Sequence, residues 1–231
     1  MRTLGLIGGM TWHSTIDYYK LINQGVADRL GGTHSAKILL LSVDFSPVEH
    51  MQNRGEWGAL GQLMAGAARS LEGAGAEALV ICANTMHQLA DDVTAAVHIP
   101  LIHIADAAAA KVKTEGLKTV GLLGTRYTME MDFYRGRLEA RHGLKVLVPG
   151  EPGRTIVHDI IYKELAHGLV RPEARQAYVE VIWDLVKRGA EGVILGCTEI
   201  PMLIGAKDSP VPVFDTTALH AAAAVDFALA A

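Results

Sequence analysis

Short apolar runs alternate along this chain with longer stretches in which apolar residues recur every three or four positions. The short runs, bounded by glycine or polar residues, read as buried strands, and the longer ones read as amphipathic helices. The first pattern predicts strands over 3–7, 37–43, 78–82 and 101–104, then over 119–123, 145–148, 192–195 and 211–214. The second predicts helices over Thr15–Leu30, Trp57–Glu72, Tyr127–Arg141, Thr155–His167 and Arg171–Arg188. Gly31 with Gly32, Gly73 with Gly75, and Gly189 stand where helices should stop. Strands that alternate with helices in both halves predict an α/β fold of two open parallel sheets.

The two halves repeat one another. GAEALVICANT from Gly75 resembles GAEGVILGCTE from Gly189, 114 residues further on. LGLIGGM from Leu4 resembles VGLLGTR from Val120, and IPLIH from Ile99 resembles VPVFD from Val211, at offsets of 116 and 112. Three matches in one order favour duplication over chance likeness among apolar strands. The expected architecture is two pseudo-symmetric lobes with an active site in the cleft between them, because such sheets bind ligands beyond the carboxyl ends of their strands. The first lobe is expected over 1–98 with about 208–231 returning to it, and the second over 99–207.

Composition narrows the function. Hydrophobic residues make up 50% of the 231 and charged residues 20%, which supports a sizeable core rather than disorder. Lys+Arg 21 against Asp+Glu 25 gives a formal charge of −4 without a basic run, so no nucleic-acid partner is expected. The alanine-rich segment from Ala218 is interrupted by His220 and Asp226 and is too short to span a bilayer, so no membrane partner is expected either. The first strand begins at once, without a cationic leader or cleavage site, and the two cysteines are expected to be free thiols of a cytoplasmic protein. The ten histidines show no metal-ligand spacing, and no glycine pattern matches a nucleotide loop, so no metal and no cofactor is expected.

Chemistry concentrates at the duplicated strand ends. In the register of the repeat Cys197 falls opposite Ala83, Thr198 opposite Asn84 and Glu199 opposite Thr85. Cys197 stands between a buried strand and an expected helix, whose N-terminus would favour the thiolate and bring its pKa toward neutrality. Cys82 precedes Ala83, so strand alternation turns it to the other face and into the core, unless a bend reverses it. Asn84 and Thr85 are placed to cap a helix or hold a carboxylate. His87, three positions on, is as well suited to a structural hydrogen bond as to an auxiliary acid/base role. Thr125 lies in GTRYT from Gly124, the counterpart of GGMTW from Gly8 after the first strand of each half.

These segments together resemble the aspartate/glutamate racemase family over nearly the whole chain: GGMTWHST, SVDF, NRGEW, NTMH, GTRYTM, GCTEI and PVFDT. The resemblance implies a racemase that works without cofactor, through two cysteines on opposite faces of the substrate α-carbon. One thiolate removes the proton and the other thiol delivers one. Here Cys197-Thr198-Glu199 matches the second cysteine motif, whereas Ala83-Asn84-Thr85 stands where the first has Cys-Asn-Thr. A methyl group neither gives nor takes a proton, so inversion is expected to be slow or one-directional. The resemblance implies an aspartate, glutamate or related substrate held by Asn84, Thr85, Thr125, Thr198 and Glu199, with Met10 and Gln52 near the pocket. Lys163, Arg54 and Arg126 are candidate partners for an acidic side chain, and a homodimer is implied. Two other readings stay open: a single-cysteine decarboxylase or isomerase of small dicarboxylic acids, and an amino-acid-binding protein with impaired catalysis.

Overall fold

A computed structural model describes residues 1–230 as two α/β units, one formed by residues 1–104 with the chain from His220 onward, the other by residues 105–219. The first contains β1 (Leu4–Gly8), α1 (Trp12–Leu30), β2 (Ile38–Ser42), α2 (Phe45–Asn53), α3 (Trp57–Gly73), β3 (Ala78–Ile81), α4 (Ala90–Ala96) and β4 (Leu101–Ile102). Then follow α5 (Ile104–Thr114), β5 (Thr119–Gly124), α6 (Arg126–Glu130), α7 (Asp132–His142), β6 (Lys145–Leu147), α8 (Gly153–Lys163), α9 (Pro172–Lys187), β7 (Gly192–Gly196), β8 (Val213–Asp215) and α10 (Thr216–Leu229). The sheets run β2-β1-β3-β4 and β6-β5-β7-β8, and every pairing is parallel.

The duplication read from the sequence is thus a duplication of topology. Its three matches fall on β1 and β5, β3 and β7, and β4 and β8. Gly75 and Gly189, which close the helices before β3 and β7, share a left-handed backbone with φ of 99° and 100°. That conformation costs a side-chain-bearing residue energy, so glycine recurs at both places.

Alternation along the strands sorts the core. On β3, Leu79, Ile81 and then Ala83 pack with α2 and α3, through Val48, Leu60 and Met64. Ala78, Val80 and Cys82 face the other way, toward Tyr18, Ile22 and Val26 of α1 and Ala221, Ala224 and Val225 of α10. In the second unit Val193, Leu195 and Cys197 take the place of Leu79, Ile81 and Ala83, under Val157 of α8 and Tyr178 of α9. Each fully buried aliphatic side chain contributes roughly 1.5–3 kcal/mol, which makes a shift of strand register costly and pins positions 83 and 197 to equivalent faces.

Three expectations are corrected. The strand expected from Val211 onward pairs with β7 in the second sheet, so only the chain from His220 belongs with the first unit. Tyr127–Arg141 is two helices, because Met131 is extended (φ −81, ψ 152). An unbroken helix would turn Met129 and Tyr134 to different faces, and the break lets both be fully buried. Thr155–His167 likewise stops at Lys163 and continues as a 3-10 turn, Leu165–His167.

The first unit also buries a pH-sensitive group. His220 Nε2–H donates to the Ile102 carbonyl at 2.7 Å, leaving Nδ1 to accept from the Tyr18 hydroxyl at 2.8 Å. Burial lowers its pKa from 6.5 to about 4, so the folded chain keeps it neutral where the unfolded chain protonates it. Stability from this residue is therefore present above pH 6.5 and is lost as pH falls toward 4, by about 3 kcal/mol in all. Urea melts between pH 7 and pH 4 should show that slope and should show it flattened in His220→Gln. An unchanged slope in the variant would acquit His220.

Candidate active site

At the carboxyl end of the first sheet the chain turns tightly after β1. Gly9 has φ +92, and a Cβ there would lie 2.2 Å from the Val43 carbonyl oxygen, so only glycine fits between the turn and the chain after β2. Its N–H donates to Thr15 Oγ1 at 2.8 Å. Beyond β3, the Cys82 N–H continues the ladder to the Ile7 carbonyl at 2.9 Å, and the Cys82 carbonyl accepts the Ser14 hydroxyl at 3.1 Å. Cys82 is wholly buried on the α1 side, and desolvation pushes its thiol well up. It is a core thiol, turned away from the face of Ala83.

Ala83 shares its cluster with Met10, Met64 and Met86. Gln52, 4% exposed, donates its side-chain N–H to Met86 Sδ at 3.0 Å. The sequence-derived residues Met10, Gln52 and Ala83 therefore lie at one buried apolar cluster, together with Met86, which sequence reasoning passed over although it lies inside NTMH. Thioethers accept hydrogen bonds weakly, which leaves the buried amide of Gln52 readily exchanged for a better acceptor.

Asn84 and Thr85 do not cap a helix as expected. They lead into a 3-10 turn, Thr85–Leu89, and Asn84 has αR backbone angles (φ −71, ψ −53) without a side-chain cap bond. An N-cap needs an extended backbone to aim its side chain at the next free N–H groups. His87 is held at both ring nitrogens: Nδ1 lies 2.8 Å from the Ala83 carbonyl, and Nε2 accepts the Ile104 N–H at 3.2 Å. With a neutral ring clamped between two backbone groups, His87 fixes the carbonyl of position 83 and has no nitrogen left for a proton-shuttling role.

The second sheet ends differently. Gly124 and Gly196 lie side by side, and a Cβ on either would come within 2.8 Å of a carbonyl oxygen on the neighbouring strand. Thr125 caps α6, its Oγ1 accepting the Thr128 N–H at 3.3 Å. Cys197, 8% exposed, donates its thiol hydrogen to Glu199 Oε2 at 2.9 Å, and the Thr198 hydroxyl donates to the same oxygen at 2.7 Å. Tyr178 packs in the same cluster, with its hydroxyl donating to the Val157 carbonyl at 3.1 Å.

The expected lowering of the Cys197 pKa is reversed. Burial, the charge of Glu199 and the hydrogen bond to it push the thiol well above its ordinary value, against a smaller opposing effect of backbone N–H groups at Thr198 and Glu199. The segment that follows is a 3-10 turn of three residues, Ile200–Met202, too short to sum a helix dipole. The resting site is thus a neutral thiol against a carboxylate.

The candidate cations stand at the surface with carboxylates of their own. Arg54 pairs with Glu56 at 2.9 Å, Lys163 with Asp159 at 2.9 Å, and Arg126 with Glu130 at 3.1 Å and Glu151 at 3.2 Å. Such exposed pairs are worth about 0–1 kcal/mol. Among the described residues no group of His, Cys, Asp and Glu is arranged to hold a metal ion, and no helix is long and apolar enough to cross a membrane.

The chain and its fold have relatives. A family model, Asp/Glu/Hydantoin racemase, matches residues 7–224. A Yersinia pestis protein described as an Asp/Glu racemase is 55% identical, with full coverage of both chains and a TM-score of 0.95. An aspartate racemase homologue of Pyrococcus horikoshii is 35% identical over 99% of each chain, with a TM-score of 0.86. A glutamate racemase of Synechococcus is 34% identical over a stretch covering 54% of this chain and 45% of that protein.

Proposed function

The chain belongs to the Asp/Glu/Hydantoin racemase family, and from that premise we propose that it is a one-thiol amino-acid racemase in which Cys197 and Glu199 together move the α-proton. The observation that carries the reading is the 2.9 Å hydrogen bond from the Cys197 thiol to Glu199, at the end of β7. The substrate is aspartate, glutamate or a related amino acid, in keeping with the names of the relatives.

The thiol hydrogen passes to Glu199, and the thiolate so formed takes the α-hydrogen of the substrate. The electron pair of that C–H bond is left on carbon and spreads into the α-carboxylate. The family resemblance assigns the groups that stabilise the charge developing there to Asn84, Thr85, Thr125 and Thr198. The family resemblance assigns the second face to position 83, where Ala83 offers no proton. Water supplies that face, and its hydroxide is neutralised by solvent. The enantiomer whose α-hydrogen meets Cys197 therefore exchanges with retention faster than it inverts.

Incubation of L- and D-aspartate, then glutamate, in D2O with proton NMR tests the reading. Wash-in of deuterium from one enantiomer, outrunning appearance of the other, is the expected result. Carbon dioxide release from a malonate-type acid without α-proton exchange would instead establish the single-cysteine decarboxylase.

Glu199→Gln tests the pair itself. The amide cannot accept the thiol proton, so exchange near neutrality should fall about 100-fold. The same change removes the charge that holds the Cys197 pKa up, so alkylation of Cys197 by iodoacetamide should become faster at lower pH than in the unaltered chain. Unchanged alkylation and exchange profiles would remove Glu199 from the mechanism.

A further inference from the structure

Thr125 joins β5 to α6 and is fixed from a third element. Its carbonyl accepts the Met129 N–H at 3.0 Å, the bond that closes the turn of α6. The other end of the same peptide group is the Arg126 N–H, one of the first N–H groups of a helix, which have no partner within it. Here that N–H donates to Nδ1 of His158, on α8, at 3.1 Å. A peptide group is planar, so bonds at both its ends set the ψ of Thr125 at 162°, and with it the direction of the threonine side chain.

The same face of α8 also holds the guanidinium of Arg126. Thr155 lies one turn before His158, and its Oγ1 accepts from Arg126 Nη2 at 2.8 Å while donating to Glu151 at 2.8 Å. Arg126 further donates to Glu130 at 3.1 Å and to Glu151 at 3.2 Å. Tyr162, one turn after His158, lies tilted against the imidazole with 4.7 Å between ring centroids.

The backbone bond depends on charge. Nδ1 accepts only while it carries no hydrogen, which requires the neutral ring with its hydrogen on Nε2. Partial burial and the charge of Arg126 lower the His158 pKa from 6.5, with Asp159 and Glu130 opposing and Lys163 assisting. Arg126 and Glu130 act from α6, and Asp159 and Lys163 from its own helix. Strand β5 contributes no titratable residue, and the Tyr178 hydroxyl of α9 is engaged by the Val157 carbonyl. The ring is therefore neutral at pH 7, and its protonation at a pH below 6.5 sets a hydrogen on Nδ1 against the Arg126 N–H.

We propose that His158 is a positioning residue for the substrate site: neutral, it holds the Arg126 N–H and thereby Thr125, and protonated, it releases both. The inference rests on the amino-acid racemase reading for the task of Thr125, whereas the hydrogen bond itself can be followed without any substrate.

Two measurements test it. By NMR of the isotope-labelled chain, the Arg126 amide resonance should move with pH in one step whose midpoint lies below 6.5. His158→Asn should abolish that step, because the asparagine side-chain oxygen accepts the same N–H and does not titrate. In deuterium wash-in, kcat/KM of the unaltered chain should fall about tenfold across the step, inside the ~100-fold that a small misplacement of a contacting group can cost. His158→Asn should keep the rate found at pH 7 and lose that fall. His158→Leu, which cannot accept, should already be about tenfold slower at pH 7, with circular dichroism checking its fold. An Arg126 resonance indifferent to His158 overturns the proposal. So does an exchange profile unaltered in His158→Asn, or full activity in His158→Leu. A chain that exchanges no amino acid at any pH, while its Arg126 amide still titrates with His158, would sink the racemase reading alone and uphold the hold of His158 on the turn.

Discussion

Cys197→Ala should lower α-proton exchange from the enantiomer that meets Cys197 by at least about 1,000-fold, within the 10²–10⁴ range typical of a positioned acid or base. The loss is expected to be this large because Cys197 is the one thiol at a strand end that touches a carboxylate. Cys82 cannot replace it, being wholly buried on the opposite face of β3. The variant should still fold. The sulfur is one atom at the edge of its cluster, and its loss deletes less buried volume than a Leu-to-Ala change, which costs about 2–5 kcal/mol. Deuterium wash-in by NMR, with a thermal melt as control, checks both halves of the prediction. Undiminished exchange in a folded Cys197→Ala chain would remove the cysteine mechanism and leave kinship alone behind the proposed activity.

Ala83→Cys should do the converse and extend exchange to the second enantiomer, raising net inversion about 100-fold, the lower end of the same range. The backbone is already prepared. Position 83 lies on the face equivalent to Cys197, and its carbonyl is held by His87 at 2.8 Å. The gain should stay at that lower end because the surroundings were not duplicated with the strand. Where Cys197 has Tyr178 and Glu199, the matching positions of the repeat hold Met64 and Thr85. A thiol among Met10, Met64 and Met86 is desolvated with no carboxylate to take its proton, so it serves better as a proton donor than as a base. Accordingly Ala83→Cys/Thr85→Glu should exceed Ala83→Cys in the rate from the second enantiomer. If Ala83→Cys leaves the pattern of exchange unaltered, position 83 does not serve the second face.

Much of this was legible before any coordinates, and the residues show why. The repeat was visible because each copy must bury the same strand between helices. The same apolar run with the same closing glycine therefore recurs at Gly75 and Gly189. The opposite facing of Cys82 and Ala83 followed from the two-residue period of a strand, which the chain keeps just past the end of β3. Helix α9 was legible because Ala174, Tyr178, Val181, Ile182 and Leu185 keep a helical period. By contrast α10 is alanine-rich on all sides and offers little period to read, and α2 declares itself mainly through its Asp44 cap, which accepts the Ser46 N–H at 3.2 Å.

What local pattern determined, then, was the succession of strands and helices, the duplicated topology and the faces on which positions 83 and 197 emerge. These depend on near neighbours along the chain and on burial, and both are written in residue order. Only the tertiary structure decided the ionisation of Cys197, the role of His87 and the sheet to which β8 belongs. The thiol's pKa turns on where a flexible Glu199 carboxylate comes to rest, a balance of desolvation and charge at about 3 Å. His87 was claimed by the Ile104 N–H, seventeen residues away in sequence, and β8 by the free edge of β7. Partners chosen across such distances are settled by packing, and periodicity carries no record of them.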